Sequence, residues 1–177
     1  IDLGGTIRLQ GNWYNNATSG QVFINTNADG QVVFENTAPV IIAGTAGTSF
    51  ENLVINSTGT VSLQTNSSVA GNLNLQSGLL DVGNSTLTLS AASLITGTPS
   101  TTNMILTTGS GSLIKIVTAP VSFTFPLGDT TGIDEYAPFS LNLTSGTFGS
   151  PAYVSAIVKN SKHPDNLSST SFIYRYW

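Results

Sequence analysis

The sequence predicts an all-β protein: a right-handed parallel β-solenoid over residues 1–118, followed by a smaller antiparallel, sandwich-like β module over residues 119–177. Three observations carry that prediction. Apolar residues recur two apart in short runs broken by Asn, Gly, Ser and Thr clusters, which is the pattern of half-buried strands between turns. The runs repeat: Asn52–Asn56 aligns with Asn72–Gln76 at an offset of 20, and Gly59–Leu63 aligns with Gly78–Val82 at an offset of 19. No stretch of ten or more residues has a 3.6-residue apolar period bounded by caps, so helix is not expected.

Taken in order, the expected strands of the first part are Thr6–Gln10, Gln21–Asn25, Gln31–Glu35, Pro39–Ala43, Asn52–Asn56, Thr60–Gln64, Asn72–Gln76, Leu79–Val82, Thr86–Leu89, Ser93–Thr96, Met104–Leu106 and Leu113–Val117. Each holds two or three alternating apolar residues, and each is followed by residues that tolerate positive φ or hydrogen-bond their own backbone. A period near 20 is one solenoid rung, whose apolar side is buried only against its neighbours. Leu53, Ile55, Val61, Leu63, Leu73, Leu75, Leu80, Val82, Leu87 and Leu89 are therefore expected in one continuous core. Right-handedness follows from the rule for parallel crossover connections. The competing architecture is an antiparallel sandwich with regular hairpins. It calls for Asn-Gly or Asp-Gly turns, and only Asp29-Gly30 qualifies.

After Val117 the runs lengthen and aromatics and prolines accumulate. Val121–Phe125, Tyr136–Leu143, Ala152–Val158 and Phe172–Trp177 are the expected strands of the second module, with Pro126–Asp129 ending the first of them.

Composition narrows function by exclusion. Only 8% of the 177 residues are charged, roughly a quarter are Ser or Thr, and there is no cysteine. Disulfides, thiolate metal sites and cysteine nucleophiles are absent together. Five Lys/Arg against nine Asp/Glu, and none of the basic residues between positions 9 and 114, leave no basic stripe for nucleic acid. No apolar run approaches the roughly 20 residues of a membrane-spanning helix. The opening Ile1-Asp2-Leu3-Gly4-Gly5 has neither a basic nor an apolar leader region, so the chain reads as a processed product or part of a longer protein.

A resemblance accompanies this pattern. Gly11-Asn12-Trp13 with Asn15-Asn16, Val32-Val33-Phe34, Phe50–Asn56, Gly71–Leu75 with Ser77-Gly78, and Thr86–Leu89 resemble the β-helical repeat regions of large exported surface proteins of Bacteroidota. Phe125–Asp129, His163-Pro164 and Arg175-Tyr176-Trp177 resemble the module that often follows those repeats. The resemblance implies an adhesin or cell-envelope scaffold exported by the type IX system, located extracellularly or at the cell surface. It brings no catalytic residues, and the sorting domain of that family is not among these residues.

Residue chemistry offers few sites. His163 is the single histidine, beside Lys162 and Pro164, and no Gly-x-Ser-x-Gly elbow accompanies it, so a catalytic triad is not expected. Asp129, Asp134 and Glu135 lie in a glycine-bearing loop with Thr130 and Thr131, a weak calcium candidate without the spacing of an EF-hand. A lyase would need Lys or Arg beside its acids. Aromatic platforms for surface glycans are available in Trp13, Tyr14, Tyr136, Tyr153, Tyr174, Tyr176 and Trp177, although adjacent Trp13 and Tyr14 would face opposite sides of a strand. Ice binding would call for Thr-x-Thr on every rung, and Thr86-Leu87-Thr88 does not recur at the period.

The expected function is a non-enzymatic structural or adhesive scaffold, with carbohydrate binding or polysaccharide processing as the alternative. Phe172, Tyr174, Tyr176 and Trp177 form an expected interface, because an aromatic edge strand with one charge is poorly protected against pairing. The partners that fit are further chain of the same protein or identical subunits joined head-to-tail into a filament.

Overall fold

Inward columns of apolar side chains organise the molecule. In the computed structural model, which describes residues 4–18, 22–23 and 29–177, five rungs stack in parallel register. The first rung holds β1 (Thr6–Leu9) and β2 (Trp13–Asn15). The second holds β3 (Gln31–Phe34), β4 (Val40–Gly44) and β5 (Ser49–Phe50), and the third β6 (Asn52–Asn56), β7 (Val61–Leu63) and β8 (Ser67–Val69). The fourth holds β9 (Leu73–Ser77), β10 (Leu80–Asp81) and β11 (Thr86–Leu89), and the fifth β12 (Ile95–Gly97), β13 (Ile105–Leu106) and β14 (Ser112–Ile116). After them come β15 (Val121–Phe125), β16 (Leu127–Asp129), β17 (Glu135–Tyr136), β18 (Phe139–Leu143) and β19 (Tyr153–Ala156).

Three sheets run along the stack. The first is ordered β1-β3-β6-β9-β12, the second β2-β4-β7-β10-β13-β16-β17, and the third β5-β8-β11-β14-β19. Leu53 pairs with Leu73 and Val61 with Leu80, the offsets of 20 and 19 expected from the sequence. Ile7, Val32, Leu53, Leu73 and Ile95 form one column of the first sheet, and Val40, Val61, Leu80, Ile105 and Leu127 one of the second. All ten residues expected in the core are buried in a single cluster. Each fully buried Leu or Ile contributes about 1.5–3 kcal/mol of transfer free energy, and no rung can obtain that alone.

Asparagine holds the corners. Its short amide accepts from the backbone N–H of the next rung, where the sheet ladder is interrupted: Asn12 from Ile41 at 3.0 Å, Asn16 from Thr45 at 3.1 Å, Asn52 from Asn72 at 2.8 Å, Asn66 from Thr86 at 2.9 Å and Asn84 from Ser110 at 3.0 Å. This is why so polar a chain folds with so few charges: corner amides satisfy the backbone groups that turns would otherwise leave open. At the end of β12, Gly97 adopts φ +96°, and a Cβ there would collide with the Leu75 carbonyl below it.

The region after residue 118 is antiparallel in three of its pairings, as expected, but β16 continues the second sheet in parallel on β13, so the region is built onto the end of the solenoid. β19 pairs antiparallel with β14 and β17 with β16, while β15 and β18 pair with each other. Phe123, Phe125, Leu127, Ala137, Ala156 and Val158 join the solenoid core. The final run differs from expectation. Phe172–Trp177 is not a strand; its ladder contact is a single bridge between Tyr176 and Lys159. Arg175 turns toward Glu135, and the Trp177 indole donates to the Ala137 carbonyl at 2.9 Å, so side-chain anchors fix an irregular path. Tyr136–Leu143 is divided at Ala137-Pro138, since proline gives the ladder no donor. The expected strand Gln21–Asn25 lies outside the described residues except for Val22 and Phe23, and Ile1–Leu3 lie outside them entirely. Among the described residues no helix is long and apolar enough to cross a membrane.

Candidate functional site

Asp129, Lys159 and Asn160 of the cap meet Thr107 and Thr108 beside β13 of the fifth rung. Thr107 follows β13 and is buried. Its hydroxyl accepts from the Val158 N–H at 3.0 Å and donates to the Val158 carbonyl at 3.1 Å, which clamps the segment after β19 onto the solenoid. The clamp places Lys159, Asn160 and Ser161 beside the end of β16. There Asp129 accepts from the Thr131 N–H at 2.8 Å and from the Asn160 amide at 3.0 Å. Thr108 donates to the Asp81 carboxylate, and the Lys159 ammonium donates to the Gly109 carbonyl. Thr107, Thr108, Asp129, Thr131, Val158, Lys159, Asn160 and Ser161 line a cleft of about 210 Å³. Asp129 and Lys159 share its wall without pairing with each other.

A larger, open groove of about 370 Å³ lies on the outer face of the third sheet, lined by Gly47, Thr48, Ser49, Asn66, Ser67, Ser68 and Thr88. It holds no charged group. Its amide, Asn66, is already engaged with the Thr86 N–H, and the Thr48 hydroxyl accepts from the Trp13 indole at 2.9 Å.

The acids expected to hold calcium have different partners. Asp129 lies in the cleft with Lys159, Glu135 is ion-paired with Arg175, and Asp134 is exposed. Among the described residues no three His, Asp or Glu side chains gather as a metal-ligand set. The antiparallel β16–β17 ladder sets Asp129 directly opposite Glu135, yet their side chains are bonded elsewhere, Asp129 to Thr131 and Asn160 and Glu135 to Arg175. His163 stacks edge-on against Tyr176 at 4.8 Å between ring centroids and accepts from the Asp165 N–H at 3.2 Å; among the described residues no serine hydroxyl bonds to it.

Of the expected interface aromatics, Tyr174 and Trp177 are exposed, while Phe172 and Tyr176 are half-buried. Phe172 stacks on Tyr174 at 4.7 Å, with the Lys162 ammonium over its ring at 5.2 Å. Trp13 points inward to stack on Phe23 at 5.6 Å, and Tyr14 faces solvent.

Two features escaped the sequence reading. Lys159, Asn160, Thr107 and Thr108 left no signal, because the cleft is assembled from three segments distant in sequence. Lys115 did leave one: it is in phase with Leu113 on the inward face of β14 and with the buried Val117 just after that strand. Its ammonium is buried and donates to the carbonyls of Ser90 at 2.7 Å, Ala91 at 3.0 Å and Ser93 at 2.6 Å, with the Phe123 ring 5.0 Å away. Burial lowers its pKa from the ordinary 10.5.

Compared with known protein families, curated proteins and solved structures, the chain matches none.

Proposed function

We propose that this chain is a non-enzymatic structural segment of an exported surface protein, a stiff β-solenoid spacer with an adhesive or scaffolding role. The observation that carries the reading is the continuity of the body: among the described residues two parallel ladders pass through five rungs and a third through four, around one core, and asparagine latches join rung to rung at the corners. Such a stack resists extension because each rung is bonded to the next by a row of backbone hydrogen bonds. The resemblance to Bacteroidota surface repeats agrees with an extracellular or cell-surface location.

The partner that fits is more of the same architecture. Among the described residues β1 and β2 have a neighbour on one side only, β3 and β4, so their outer ladder groups can receive a further rung or an identical subunit. At the other end, β17 and β19 cover β16 and β14, so a neighbour there would meet the cap and its exposed Tyr174 and Trp177.

Single-molecule extension between the first and last residues tests the spacer role: stepwise release of about 20 residues per event at high force supports it, and low-force unfolding in one step contradicts it. A screen against neutral and acidic polysaccharides tests the non-enzymatic assignment, which turnover abolished by Asp129→Ala or Asp134→Ala would overturn.

A further inference from the structure

The cap offers a site that the spacer role does not require. We propose that the cleft formed by Thr107–Thr108, Asp129, Thr131 and residues 158–161 binds a single neutral sugar unit through its hydroxyl groups.

Size comes first. At about 210 Å³ the cleft lies below the roughly 300–1,000 Å³ of ordinary drug-sized ligand sites, which suits one sugar ring and not an extended oligosaccharide. Charge decides the class. One carboxylate and one ammonium face the same space. A divalent cation there would meet Lys159, and an acidic sugar would meet Asp129, with Asp81 bonded to Thr108 behind it. A polyol meets neither conflict.

Hydrogen-bonding capacity fits the same class. Lys159 uses one of its three ammonium protons on Gly109. One Asp129 oxygen receives only the long 3.3 Å contact from the Thr131 hydroxyl. The Asn160 amide donates to Asp129 and to the Thr131 carbonyl, leaving its own oxygen as an acceptor, and the Ser161 hydroxyl is exposed. Both donors and acceptors with spare capacity therefore line the cleft, and a sugar hydroxyl both donates and accepts. The walls are already fixed, Asp129 by Asn160 and residue 158 by Thr107, so binding orders little of the protein. With no aromatic ring lining the cleft, affinity falls in the millimolar range typical of a few hydroxyl contacts.

Amide spectra of the ¹⁵N-labelled 177-residue chain, recorded with D-glucose, D-galactose, D-mannose, D-xylose or N-acetyl-D-glucosamine, test this, with D-glucuronate and Ca²⁺ as controls. The expected result is that at least one neutral sugar shifts the amides of Thr108, Thr131, Asn160 and Ser161 at millimolar concentration. Lys159→Met should then weaken binding about tenfold and the exposed Ser161→Ala about threefold. The proposal is overturned if no neutral sugar moves these amides, if a folded Ser161→Ala and a folded Lys159→Met both bind undiminished, or if glucuronate or Ca²⁺ moves them more strongly. None of these results bears on the extension measurement, so the site and the spacer role stand or fall separately.

Discussion

The buried ammonium of Lys115 donates to the carbonyl oxygen of Ser93 at 2.6 Å, and through that bond the fifth rung holds the turn that follows the fourth. Lys115 stands in register on Leu89, which stands on Val69 and Phe50, so a cation occupies the position where the inward column of the third sheet would otherwise continue apolar. Ser93 is itself buried and donates back to Val69 at 2.8 Å, which makes the 90–93 turn a fixed floor for the ammonium.

Lys115→Ala removes the buried stem and takes the ammonium from three carbonyls, of which that of Ser90 keeps the Ser93 N–H. Urea unfolding should show a loss of about 2–4 kcal/mol. Lys115→Met keeps the stem and should lose less, about 1–2 kcal/mol. Equal losses would mean that the stem contributes nothing, and no loss in Lys115→Met would mean that the ammonium contributes nothing.

The same residue sets a pH dependence. Burial lowers its pKa below 10.5, so between that lowered value and 10.5 the unfolded chain binds more protons than the folded one, and stability rises with pH. Tyr136 acts oppositely: burial raises its pKa above 10.0, the folded chain keeps the proton longer, and stability falls as pH rises past 10.0. Thermal midpoints across this range should lose the rise in Lys115→Met and the fall in Tyr136→Phe. A rise unchanged in Lys115→Met would contradict the assignment.

The corner latches are separable from the core. Asn66→Ala leaves the Thr86 N–H without its acceptor and should cost about 1 kcal/mol, and hydrogen exchange at Thr86 should accelerate while Leu87 stays protected. Exchange that accelerates throughout β11 would mean that the rung, not the corner, had opened.

Gly97→Ala places a Cβ against the Leu75 carbonyl at φ +96°, and the predicted loss is about 2 kcal/mol or more. A neutral outcome in urea unfolding would show that β12 is not seated on β9 as described.

The legibility of this chain follows from rung geometry. Asn52–Asn56, Thr86–Leu89 and Val121–Phe125 were readable to the residue because each carries at least two alternating apolar side chains. β2, β5, β8 and β16 are two or three residues long and lie outside the expected strands, whereas the equally short β7, β10 and β13 fall within longer runs of apolar residues that the sequence shows. The Phe172–Trp177 run misled in the other direction. Its alternation reflects an Arg175 anchor and local ring stacking, with no ladder to join. Of the cleft, Asp129 and Thr131 were legible in the sequence as one loop, while Lys159 and Asn160 come to it from a segment some thirty residues further along the chain.

The spacer role rests on rungs stacked in parallel at offsets of 20 and 19, and the most direct test is the backbone proton contacts of Leu73 in a labelled sample. The structure predicts parallel-sheet contacts from the Leu73 strand to Leu53 on one side and Ile95 on the other, with successive strands about 4.8 Å apart. Antiparallel contacts around Leu73, or Leu53 and Leu73 with no contact between their strands, would contradict the solenoid and the function drawn from it.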